Sequence, residues 1–135
     1  MNAIFLDTSG LFCLHHRDEI YHFQAKDYFN NVKQKVTHSY VLSEFVALAQ
    51  ARRLPRLSAL SYISDIVTHP DLQTIWVDRT LHDKAMTLLK TRLDKTYSLC
   101  DAVSFVVMQQ LLITDALTTD HHFTQAGFQQ LLTLN

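Results

Sequence analysis

Asn2-Ala3-Ile4-Phe5-Leu6-Asp7 is a short apolar run that stops on a carboxylate. A run of this length, closed by a polar residue, reads as a strand buried on both faces, with Asp7 just past its end and a turn or helix start at Thr8. The pattern returns near the other end of the chain, where Ala116-Leu117-Thr118-Thr119 predicts a last inner strand ending on Asp120. Open α/β sheets collect their sites at the C-terminal ends of strands, so both carboxylates are expected on one rim.

Working outward, Tyr21, Ala25, Tyr28, Phe29 and Val32 recur at helical spacing and predict an amphipathic helix over about 21–34, followed by a brief strand near 35–37. The helix-forming run from Ser39 to Arg53 is too long for a strand and is ended by Pro55. Further helices are expected over 58–68, over 80–92 with Asp83 in capping-box position, and over 98–111, with a strand at 72–77. After Asp120 come a short helix or turn closed by Gly127 and an edge strand over 131–134. Strands alternating with helices predict a three-layer α/β/α fold around a central, mostly parallel sheet.

The 135 residues suit a single domain spanning 1–135, and 47% apolar residues suffice for a core. With 19% charged residues and two each of Gly and Pro, nothing argues for a linker or a disordered tail. The N-terminus lacks the layout of a signal peptide and no apolar run is long enough to span a bilayer, so no membrane association and a cytoplasmic location are expected. Cys13 and Cys100 form no CxxC pair and read as small buried hydrophobes. A net charge of −1 excludes a globally basic nucleic-acid footprint. Two local basic clusters remain, Arg52, Arg53 and Arg56, and Lys90, Arg92 and Lys95, each readable as a phosphate patch or as ordinary solvated surface.

The carboxylates carry the chemistry. Taken singly, Asp7 and Asp120 can be helix N-caps, and Asp101, three residues after Ser98, can close a capping box. Glu44 is one of only two glutamates, and its neighbours at helical spacing are Tyr40, Val41, Ala47 and Leu48, an apolar surround in which an unpaired charge is costly. Brought together, the four acids form an oxygen-rich cluster suited to a hard cation such as Mg2+ or Mn2+. A cation so held activates water and stabilises charge on a phosphodiester.

The segments Phe5-Leu6-Asp7-Thr8-Ser9, Ser43-Glu44-Phe45, Tyr97-Ser98-Leu99-Cys100-Asp101-Ala102 and Thr118-Thr119-Asp120-His121-His122-Phe123 occur in the order and spacing of the PIN domain. The likeness runs from Asn2 to about Phe128, and the chain most resembles the stand-alone VapC-type toxins of toxin–antitoxin pairs. This resemblance implies a Mg2+-dependent endoribonuclease acting on RNA, frequent homodimerisation, and inhibition by an antitoxin protein. It implies Asp7 and Asp101 as direct metal ligands, with Glu44 and Asp120 completing the cluster directly or through water. Thr118, and by extension Ser9, would support the site. One departure is His121, where the family often carries Arg, which puts a phosphate contact there in doubt.

Competing readings fare worse. Asp7-Thr8-Ser9-Gly10 has its glycine one place too late for an aspartic protease and no second copy. Ser9 stands where an aspartyl phosphotransferase would want a second Asp. The pairs His15-His16 and His121-His122 match no zinc spacing, since adjacent helical residues diverge, and read as surface histidines. Asp115 reads as a surface residue in the turn before the last strand. A non-catalytic PIN-like module binding RNA or protein would be expected to have lost acids, whereas all four are present. A DNA-directed nuclease shares the same metal chemistry.

Overall fold

A computed structural model describes residues 2–134 and places β1 (Ala3–Leu6) in the middle of a five-stranded sheet. The other strands are β2 (Gln34–His38), β3 (Leu72–Ile75), β4 (Asp115–Leu117) and β5 (Gln129–Gln130), in the order β3-β2-β1-β4-β5, and every pairing is parallel. Ile4, Phe5 and Leu6 are fully buried, as expected of an inner strand covered on both faces.

The helices are α1 (Thr8–His15), α2 (His22–Asn31), α3 (Ser39–Ala51), α4 (Arg56–Thr68), α5 (Arg79–Thr91), α6 (Leu99–Leu111) and α7 (His122–Gln125). From β1 the chain steps outward through β2 to β3, then returns across the sheet to β4 and β5. Right-handed crossovers therefore place α1–α4 on one face and α5–α7 on the other, giving the expected three layers. α6 is the most deeply buried helix, with every residue from Cys100 to Met108 inside. Phe105 packs edge-to-face on Phe123 at 5.0 Å, and Phe123 in turn stacks on Phe5 of the sheet at 6.3 Å.

Element boundaries differ from expectation in instructive places. The start at Thr8 develops into α1, a helix of 8 residues. α2 ends at Asn31, because Val32 is already extended. α4 begins at Arg56, directly behind Pro55. α5 is capped by Asp78, whose carboxylate accepts from Leu81 N at 2.8 Å, while Asp83 makes no capping box and pairs with Arg79 at 3.0 Å. The edge strand falls at Gln129–Gln130, and Leu131 and Leu132 are instead buried in the core. Asp115 is the first residue of β4, paired with Gln129, and half-buried rather than in a turn.

Candidate metal site at the strand switch point

β1 and β4 are neighbours from which the chain departs in opposite directions across the sheet. Between such strands a crevice opens at their C-terminal ends. Their register, with Leu6 opposite Leu117 and Asp7 N donating to Leu117 O at 3.2 Å, sets Asp7 beside Thr118. Closeness here depends on Gly10, since a Cβ at that position would lie 2.0 Å from the Leu117 carbonyl oxygen. Only a glycine lets the first turn of α1 rest on the end of β4.

Asp7 occupies the N-cap position of α1 but makes no side-chain cap. Its Oδ2 accepts instead from the Thr118 hydroxyl at 2.8 Å. Because that proton is committed, Thr118 Oγ1 serves as acceptor for its other partners, Ser9 Oγ at 3.1 Å and Asp120 N at 3.0 Å, and Ser9 Oγ accepts from Thr119 N at 3.0 Å. This network ties the ends of the two strands together. Asp7 is only 4% exposed, and burial pushes its carboxyl up to about 7 against the lowering effect of the Thr118 bond, with Asp101 and Glu44 adding repulsion.

Asp101 arrives from the start of α6. The capping box expected from its spacing is formed, with Asp101 N donating to Ser98 Oγ at 2.9 Å and Ser98 N to Asp101 Oδ2 at 3.1 Å. Capping and site membership are therefore compatible: the box holds the carboxylate while leaving it facing the crevice. Burial raises its carboxyl, and Asp120 adds to the rise, while the Ser98 bonds and His122 oppose it.

Asp120 Oδ1 accepts from His122 N at 2.9 Å, which starts the short α7. Of the adjacent histidines, His121 points to solvent with its side chain 73% exposed, whereas His122 turns inward at 18%. His122 Nδ1 lies 3.2 Å from Asp101 Oδ2 and 3.3 Å from Asp120 Oδ1. Among the described residues, ligand atoms of Asp101, Asp120 and His122 lie within 4.8 Å of one another. His121 is the surface residue its sequence context suggests, whereas His122 is half-buried against the acids. The divergence of adjacent side chains, which argues against a two-histidine zinc site, also means that one of the pair can face the acids.

Glu44 is placed differently from expectation. α3 buries Val41, Leu42, Phe45 and Ala49, and Glu44 itself is exposed, with Ala47 exposed and Tyr40 and Leu48 only half-buried. Its apolar neighbours are the margin of the buried face, so no desolvation forces it to pair. It stands at the rim, close enough to raise the Asp7 carboxyl but outside the compact cluster.

Other polar groups support the scaffold and were not legible as such. His38 is fully buried, accepts from Val41 N at Nδ1 and meets Ser104 Oγ at 2.9 Å through Nε2. Ser104 in turn donates to Cys100 O at 2.9 Å. Cys100 is buried beside the acids, and burial holds its thiol far above the usual range, so it is no nucleophile. The basic clusters are partly neutralised, Arg52 by Glu19 at 3.6 Å and Arg92 by Asp94 at 3.1 Å.

The family model of the PIN domain matches residues 4–129, and the chain belongs to that family. Among solved structures it is similar to the Mycobacterium tuberculosis toxin VapC20, which cleaves the sarcin–ricin loop, with a TM-score of 0.85 at 28% sequence identity over 94% of this chain and 97% of that one. No curated protein matches it.

Proposed function

We propose that the protein is a divalent-metal-dependent endoribonuclease that hydrolyses RNA phosphodiester bonds, acting as the toxin of a toxin–antitoxin pair. The observation that carries this reading is the cluster of Asp101, Asp120 and His122 at the β1–β4 switch point, with buried Asp7 beside it, outside the compact group but electrostatically coupled to Asp101. Two of these acids are held above the usual carboxylate range by burial, a cost that cation binding offsets.

Asp7, Asp101 and Asp120 would hold Mg2+, with Mn2+ as substitute, and exposed Glu44 would contribute at the rim, directly or through water. The cation supplies Lewis-acid stabilisation of the phosphodiester and lowers the pKa of water. Thr118 and Ser9 orient Asp7, and the Ser98 box orients Asp101. Lys95, in the loop before Ser98 and 4.0 Å from Asp94, would exchange that exposed carboxylate for an RNA phosphate.

The partners of this reading are RNA, a cognate antitoxin and a second copy of the chain. Leu57, Leu60 and Val67 form an exposed apolar row on α4 that supports a protein contact there. None of the helices is long and apolar enough to cross a membrane among the described residues. A cytoplasmic location, where RNA is met, belongs to the same proposal. The VapC20 likeness makes ribosomal RNA the first substrate to inspect.

The test is incubation of total RNA with the purified protein in Mg2+, in EDTA, and with Asp101→Asn. Discrete fragments only from the unmutated protein with metal support the reading. Intact RNA under both Mg2+ and Mn2+, ribosomal RNA included, would count against it.

A further inference from the structure

We propose that His122 is a direct ligand of the cation, so that with Asp101 and Asp120 it forms a mixed nitrogen–oxygen site favouring a first-row transition ion over Mg2+. The inference rests on the metal-nuclease reading above and adds to it the identity of one ligand and a metal preference. Four features of the site carry it.

The first is spacing. Adjacent ligands on one cation with bonds near 2.0–2.2 Å stand roughly 3.0–3.4 Å apart. His122 Nδ1 is 3.2 Å from Asp101 Oδ2 and 3.3 Å from Asp120 Oδ1, so it stands from each acid as one ligand stands from the next. The second is that Nδ1 is shut off from solvent yet makes no hydrogen bond, despite having two carboxylate oxygens within reach. An imidazolium serving as a counter-ion would aim its N–H along one of those oxygens.

The third is the far side of the ring, where Nε2 lies 3.1 Å from Thr96 Oγ1. Nε2 held on that hydroxyl leaves Nδ1, on the side of the acids, as the ring atom available to a cation. An outer hydrogen bond of this kind is what orients a metal-bound histidine. The fourth is fixity. Tyr97 meets the ring edge-on at 5.5 Å, and Phe123, the next residue, is locked in the core.

Imidazole nitrogen suits first-row transition ions, whereas Mg2+ prefers an all-oxygen shell. Mn2+ is the probe of choice because its unpaired electrons report nitrogen ligation directly. Mn2+ titrated into the full chain, followed by pulsed electron paramagnetic resonance, should show 14N modulation in the unmutated protein and in His121→Asn. The modulation should vanish in His122→Asn, with Mn2+ affinity falling about tenfold or more. Mg2+ affinity, measured by competition, should change less. Bound Mn2+ without 14N modulation, or modulation that survives His122→Asn, would overturn the assignment and leave an all-oxygen metal nuclease. Failure of Mn2+ to bind at millimolar concentration would instead remove the metal-nuclease reading on which the assignment rests. If His122→Asn fails to fold, the spectrum of the unmutated protein decides by itself.

Discussion

Burial holds the Asp7 carboxyl at about 7 against an ordinary value of 3.8, so ionising it inside the fold costs on the order of 4 kcal/mol. Between those two values the folded chain keeps a proton that the unfolded chain releases. The stability tied to Asp7 is therefore fully present below pH 3.8 and is lost as pH rises to about 7. Asp7→Asn removes the titration while keeping an acceptor for Thr118. Without metal it should raise Tm at pH 8 and leave it nearly unchanged at pH 4. A lower Tm at pH 8 would mean that the charged form is well accommodated. The same substitution, like Asp101→Asn, should reduce RNA cleavage by more than the roughly 10–100-fold that losing a mere supporting partner costs. Far-UV circular dichroism should stay unaltered, and full activity in either variant would remove that residue from the site.

At the scale of elements, the site depends on how α1, α6 and α7 begin. Gly10 lets α1 approach β4, and its replacement by Ala drives a Cβ into the Leu117 carbonyl. Since the obstacle is backbone, the strands or the helix must shift, and Gly10→Ala should destabilise by at least the roughly 1–3 kcal/mol of overpacking, measurable by urea unfolding. His38 joins β2 to α6 through Ser104, and burial pushes its ring down to about 3. Its folded value lies below the unfolded 6.5, so the stability it contributes is fully present above pH 6.5 and is lost as pH falls toward 3. NMR of the imidazole should show His38 still neutral at pH 5, and a protonated ring there would contradict its burial.

For the whole molecule, one apolar cluster runs from β1 through α6 to Leu131 and Leu132, joining both helical layers through the sheet. The chain is therefore expected to unfold in one cooperative transition, as a single domain would, with tryptophan fluorescence from Trp76 and circular dichroism giving coincident curves. Cation binding to the folded state alone stabilises by mass action, by about 2.7 kcal/mol at a hundred times Kd. Mg2+ or Mn2+ should accordingly raise Tm in the unmutated protein and much less in Asp101→Asn. Equal shifts in both would place the binding elsewhere.

The layering was legible in the sequence alone, and so were the places of Asp7 and Asp120 just after β1 and β4 and of Asp101 in the first turn of α6. Apolar runs closed by Asp7 and Asp120 mark inner strands through period and length, and the Ser98–Asp101 spacing marks a helix start by local hydrogen bonding. Properties that depend on neighbours distant in the chain needed the tertiary structure. Local spacing put Glu44 in an apolar surround and His122 on the surface, whereas packing reverses both. The rotation of α3 about its axis is set by its buried neighbours, and the inward turn of His122 follows from Phe123 locking into the core between β1 and α6. Likewise the raised carboxyls of Asp7 and Asp101 arise from desolvation, an effect of everything folded around them that no short stretch of sequence contains.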